Sequence, residues 1–176
     1  MDRPPAAAPC DASRMSESAA AAPERPLLLV CSSGGHLLQM LELRPAWADR
    51  PRVWVAFDKS DTRSLLRGEQ VIHAFGPTNR NVPNLLRNLR LALRVMRRVR
   101  PAAILTTGAG IAVPFAWAGR LHRVPSFYVE SFTRIDRLSL SGRLIKPVAE
   151  RLYVQWPEAA AKIRAARFAG NLFAGR

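Results

Sequence analysis

The sequence predicts an α/β domain built on a doubly wound, Rossmann-like parallel sheet, and three observations carry that expectation. Short β-rich runs, LLLVC, VWVAF, VIHAF, AAILTT, SFYVE and LYVQ, recur from Leu27 onward, separated by helical patterns or loops. Several of them are apolar on both alternations, as parallel strands covered by helices on two faces are. The length of 176 residues suffices for one ordinary core and would crowd two.

Taken in order, residues 1–26 combine Pro, Ala, Ser and scattered charges without a continuous apolar run, so they read as a disordered leader, neither signal peptide nor membrane span. The domain proper is residues 27–176. The first strand leaves through Ser32, Ser33, Gly34 and Gly35 to His36, where a helical pattern begins. After the strand Val53 to Phe57, DTRSLL offers Asp61 or Thr62 as the N-cap of a short helix. The third strand runs into GPTNRNVPN, a proline-stiffened loop whose Arg80 has the chemistry to grip a phosphate. A long helix is expected over Asn84 to Arg100. The fourth strand ends in Thr107, Gly108, Ala109 and Gly110 and the fifth in Glu130, with Arg134 shortly beyond; these two read as a structural ion pair, or else Glu130 is a carboxylate that orients substrate hydroxyls. The apolar stretch GIAVPFAWAG is too short to cross a bilayer and contains a proline.

A formal charge of +14 and a pI near 11.5, almost all from arginine, imply an anionic partner: nucleic acid, an anionic membrane surface or a phosphorylated substrate. Arginine-rich coding bias is the bland alternative. On the long helix, Leu85, Leu89, Ala92, Met96 and Val99 share one face and Arg87, Arg90, Arg94, Arg97 and Arg98 fall opposite, a pattern that fits an anionic membrane interface or an ordinary solvated helix face. Cys10 and Cys31 suit neither a disulfide framework nor a zinc site, and His36, His73 and His122 form no metal-ligand pattern, so no bound metal is expected.

The Gly34-Gly35 turn lets backbone approach a ligand, and the free N–H groups of the helix that follows attract an anion. It is neither a Walker loop nor a dinucleotide fingerprint, and a tight turn also needs glycine for structure alone. His36, at the carboxyl edge of a parallel sheet, is placed to take a proton from a hydroxyl, or else merely to hydrogen-bond a loop. The turn at Gly108, Ala109 and Gly110 would face the same cleft.

The set SSGGH, GPTNRN, TTGAG, YVESFTRIDRLSLSGRLIKPV and YVQWPE, in this order, resembles the acceptor-side subunit of split glycosyltransferases. That family includes the bacterial polysaccharide-biosynthesis PssD/CpsF type and the eukaryotic subunit that assists transfer of N-acetylglucosamine from UDP to dolichol-linked oligosaccharide. The resemblance spans from about Leu27 through Pro157 and into the tail. It implies the N-terminal half of a GT-B glycosyltransferase, which binds a lipid-diphosphate acceptor while a separate donor-binding subunit holds the UDP-sugar and docks near RFAGNLFAGR.

On that resemblance, His36 is the base that activates the acceptor hydroxyl for an inverting displacement, and Glu130 positions acceptor or histidine. Ser33, Gly34, Gly35, Arg80, Gly108, Ala109, Gly110 and Arg134 bind the acceptor and its diphosphate. No cofactor is expected beyond the UDP-sugar substrate. Anchored members carry an N-terminal membrane helix that this leader cannot supply, so attachment to the cytoplasmic face of the membrane is expected to be peripheral or through the partner. Two rivals stand beside this reading. One is a non-catalytic scaffold that recruits the catalytic subunit. The other is a basic nucleic-acid-binding protein, which the absence of aromatic-basic interleaving and of a helix-turn-helix disfavours.

Overall fold

The computed structural model describes residues 24–78 and 81–174. The leader up to residue 23 lies outside the described residues, as do Asn79 and Arg80. Seven strands, β1 (Leu27–Val30), β2 (Arg52–Phe57), β3 (Val71–Ala74), β4 (Ala103–Thr106), β5 (Ser126–Val129), β6 (Arg151–Val154) and β7 (Ala166–Phe168), alternate with helices α1 (Gly35–Glu42), α2 (Ser60–Leu65), α3 (Val82–Val99), α4 (Ala112–Leu121), α5 (Leu140–Ile145) and α6 (Pro157–Lys162). They form one sheet in the order β3-β2-β1-β4-β5-β6-β7, every neighbouring pair parallel. The doubly wound class read from the sequence is therefore the observed one. Strand order reverses between β1 and β4, and at such a switch point the loops leaving the carboxyl ends diverge and open a crevice. All six predicted strands are present; β7, three residues with two exposed, is additional.

Alternation sets the layers. Leu28, Val30, Val53, Val55 and Ile104 point to one face and pack against Ala92, Val95 and Met96 of α3 and Phe115 and Ala118 of α4. Leu27, Leu29 and Trp54 point to the other and meet Leu37 and Met40 of α1, with Trp47 and Leu66. Tyr128, Leu152 and Val154 extend the first face under α4, α5 and α6 through Ala112, Ala116, Ile145 and Ala159. Each fully buried Leu, Ile, Val, Phe or Met among them contributes about 1.5–3 kcal/mol by leaving water. Coverage on two faces is complete only around β1 and β2. On the α1 side of β4 to β6, Leu105, Phe127 and Tyr153 are half-buried and border a cavity of about 450 Å³, closed at one end by Gly170 and Leu172. The helix α4 lies so close to the sheet at Gly119 that an added Cβ would stand 2.6 Å from Ile104 Cδ1 and 3.0 Å from Ser126 Oγ.

Two local expectations are corrected. Lys59, not Asp61 or Thr62, caps α2; Asp61 sits in its first turn. The inner face of α3 is also rotated in its first half. Leu85 is exposed, whereas Asn84 and Asn88 point inward. The cause is hydrogen bonding: Asn88 grips both the N–H (2.9 Å) and the C=O (2.8 Å) of Phe75, and Asn84 Nδ2 donates to the Pro77 carbonyl at 2.9 Å. Asn81 caps the helix by accepting from Asn84 N–H at 2.9 Å. The helix ends where Arg100 turns left-handed ahead of Pro101.

Candidate functional site

Parallel register brings the carboxyl ends of all strands to one edge, so the loops after β1, β3, β4 and β5 share it. At the switch point, Gly34 takes φ 71° and ψ −137°, a conformation that L side chains resist. Its N–H donates to Asp61 Oδ2 at 2.6 Å, across from the start of α2. The chain then enters α1, and His36 reaches over to β4: its Nδ1 lies 2.7 Å from the Thr107 carbonyl, while Thr107 Oγ1 donates to the His36 carbonyl at 2.8 Å. A carbonyl only accepts, so this bond places a proton on Nδ1, and in the neutral ring Nε2 is then the lone-pair nitrogen. The half-buried imidazole is thereby held in the tautomer a base requires.

Gly108 (φ 104°) packs between this imidazole and Tyr128; a Cβ there would stand 3.5 Å from His36 Cε1 and 3.0 Å from Tyr128 Oη. Ala109 also has positive φ, at 66°. Gly110 faces the loop after β3, where its absent Cβ would come within 2.9 Å of Thr78 Oγ1. Ser33 is half-buried, and Gly34 and Gly35 are exposed. Ser33, Gly34, Gly35, His36, Gly108, Ala109 and Gly110 thus gather around the β1–β4 crevice.

Glu130 is 1% exposed, and its carboxylate is fully engaged. Oε1 accepts from Tyr128 O–H (3.0 Å) and Ser131 N–H (2.9 Å), and Oε2 accepts from the N–H (2.9 Å) and hydroxyl (3.0 Å) of Ser139. Ser139 in turn caps α5 by accepting from Gly142 N–H. On the carboxylate side, Tyr128 and Gly108 stand between Glu130 and His36, and the carboxylate makes no ion pair with Arg134, which is exposed on the loop 131–139. That corrects the ion-pair alternative: four nearer donors satisfy the carboxylate. Burial, with the Glu130 charge next, pushes the Tyr128 phenol well above its ordinary range, so it stays a neutral donor. Burial, aided by the Asp61 charge, raises the Cys31 thiol to about 12.

Gln39 and Gln155, both 1% exposed, converge on the Glu130 carbonyl at 2.9 and 3.4 Å. Gln155 Oε1 also accepts from Leu172 N–H at 2.9 Å, and the Phe173 ring meets Phe132 edge-on at 4.9 Å. The C-terminal segment is thus laid against the loop 131–139. Sequence reasoning did not single out Tyr128, Ser139, Gln39 or Gln155. Only Ser139 carried a signal, as a serine three residues before a glycine at a helix start.

Along α3, the outward surface divides lengthwise. Val82, Leu85 and Leu86 are exposed by 62%, 41% and 51% near the loop edge of the sheet, whereas Arg90, Arg94, Arg97 and Arg98 line a shallow groove with Leu93 farther along. Arg87 leans back to Asn84 Oδ1 at 3.3 Å. No helix among the described residues is long and apolar enough to cross a membrane. None of the described residues form a group of three or more His, Cys, Asp or Glu able to hold a metal ion.

A family model described as "Oligosaccharide biosynthesis protein Alg14 like" matches residues 77–172. Proteins named UDP-N-acetylglucosamine transferase subunit ALG14 are similar in sequence. The Candida albicans protein is 26% identical over 74% of this chain and 70% of its own, and the Homo sapiens protein 28% identical over 74% and 75%. Among solved structures, Acinetobacter baumannii MurG superposes with a TM-score of 0.67 at 16% identity, and a UDP-N-acetylglucosamine 2-epimerase from Rickettsia bellii with 0.67 at 12%. These likenesses show the fold, and the chain spans 45% of each of those two structures.

Proposed function

Because the chain belongs to the Alg14-like family of oligosaccharide biosynthesis proteins, we propose that it is the acceptor-binding subunit of a heteromeric inverting glycosyltransferase. A donor-binding subunit supplies the UDP-sugar, and the acceptor is a lipid-diphosphate-linked saccharide at the cytoplasmic membrane surface. The observation that carries this reading is the His36 Nδ1 to Thr107 carbonyl bond of 2.7 Å at the switch point between two glycine turns. It frees Nε2 to take the proton of an acceptor hydroxyl, which attacks the anomeric carbon as the bond to UDP breaks, inverting that centre. Neighbouring backbone and the partner's donors receive the leaving charge.

In this reading Glu130 is a positioning residue. Its carboxylate fixes the loop 131–139, which presents Arg134 to the acceptor; Arg80 serves the same diphosphate from the loop after β3. The leucine half of α3 enters the lipid interface beside the crevice, and Arg90, Arg94, Arg97 and Arg98 meet anionic headgroups. The PssD/CpsF motif set favours a polysaccharide-building role, exopolysaccharide included.

The test is co-expression with a candidate donor-binding subunit and transfer from labelled UDP-N-acetylglucosamine to membrane lipid acceptor, each chain alone against the pair. Transfer is expected from the pair only, and His36→Ala is expected to lower it by at least about 100-fold while the two chains still co-purify. Full transfer by His36→Ala would leave a recruiting scaffold. Absence of any association would sink the split-enzyme reading.

A further inference from the structure

The amide of Gly34 stands where a strand-to-helix glycine turn would offer an N–H to a bound anion. That donor is already taken. Asp61 Oδ2 accepts from it at 2.6 Å, and Asp61 Oδ1 accepts from Thr62 N–H at 2.9 Å, so the carboxylate is held at both oxygens. The bond joins elements 27 residues apart and is short, as charge-assisted hydrogen bonds are. It fixes a residue whose φ of 71° and ψ of −137° only glycine adopts readily. Two residues later the chain must deliver the His36 ring onto the Thr107 carbonyl. The space where a Gly34 Cβ would stand is open, with nothing within 4 Å, and the Gly34 carbonyl accepts from Leu38 N–H at 3.0 Å within α1, so the Asp61 carboxylate is the hydrogen-bonding tie from another element.

We propose that Asp61 is a positioning residue for His36: its carboxylate clamps the Gly34 turn and so aims the imidazole, occupying the place a substrate phosphate would otherwise take. This rests on the acceptor-subunit reading for its consequence in catalysis. It assigns the acceptor's diphosphate to donors other than the Gly34 N–H, and leaves the crevice beside His36 to the sugar hydroxyl that reacts. Asparagine keeps an oxygen able to accept from Gly34, whereas alanine removes it.

The test has two arms. In the first, nitrogen-15 spectra of the folded chain report the His36 tautomer. The Nδ1–H form is expected to dominate in the parent and in Asp61→Asn, and to give way to a mixture in Asp61→Ala and in Gly34→Ala, which strikes the other end of the clamp. Titration with inorganic pyrophosphate should leave the Gly34 amide signal of the parent unmoved and shift that of Asp61→Ala. In the second arm, the subunit pair is assayed for transfer. Asp61→Ala should reduce kcat on the order of 10- to 100-fold, as misplaced catalytic groups do, with the KM for UDP-sugar unchanged and activity restored in Asp61→Asn. An unaltered tautomer in both Asp61→Ala and Gly34→Ala, or saturable pyrophosphate shifts at Gly34 in the parent, would overturn the proposal. The spectra need neither donor nor partner, so a pair that transfers no sugar while the tautomer still follows Asp61 would refute the transferase reading and leave the clamp standing.

Discussion

At the residue scale, burial holds two ionisable groups, Cys31 and Tyr128, in their protonated states. Cys31 is fully buried at the end of β1, and its thiol rises from an ordinary 9.0 to about 12. Below pH 9 both folded and unfolded chains keep that proton. Between about 9 and 12 only the folded chain does, so ionisation draws the equilibrium toward the unfolded state and stability falls as pH rises. Urea midpoints measured from pH 8 to 11 should therefore decline, and less steeply in Cys31→Ala. Tyr128 acts in the same direction at still higher pH, because burial raises it too. Neither group is a nucleophile at neutral pH.

At the element scale, α3 shows where sequence patterning stops. The six strands were legible because each is an apolar, β-rich run, and a strand buried on two faces needs no alternation to be recognised. The glycine turns and His36 were legible as well, since each follows such a run. On α3 the second half of the inner stripe was legible, with Ala92 and Met96 buried as expected, but the first half was not, because two asparagines there dock the helix by gripping loop backbone, and periodicity counts those as solvent-facing. The role of Asp61 was hidden for a similar reason: a local N-cap pattern says nothing of an amide 27 residues away. Asn88→Ala strands both backbone groups of Phe75 and should cost about 1–3 kcal/mol in a denaturant titration. The outer surface makes its own prediction. Replacing one of Arg90, Arg94, Arg97 or Arg98 by Gln should weaken co-sedimentation with phosphatidylserine vesicles by about fivefold, corresponding to about 1 kcal/mol per basic residue. Neutral vesicles should show no such difference.

At the scale of the whole molecule, the chain supplies one lobe of a fold that MurG and the epimerases build from longer chains. Within that lobe α4 buries Pro114 and Phe115 together with the small residues Ala112, Ala116, Ala118 and Gly119, and the small ones let it lie close to the sheet. The TTGAG turn feeds directly into the other end of this helix, so a tilt of α4 forced at Gly119 would be carried to the backbone beside His36. Gly119→Ala would press a methyl onto Ile104 and Ser126, costing about 1–3 kcal/mol as overpacking does, and the same tilt should perturb the His36 imidazole resonances from the opposite end of the sheet. The clearance at one glycine, at the end of the sheet away from the crevice, thus bears on where the backbone beside His36 can lie.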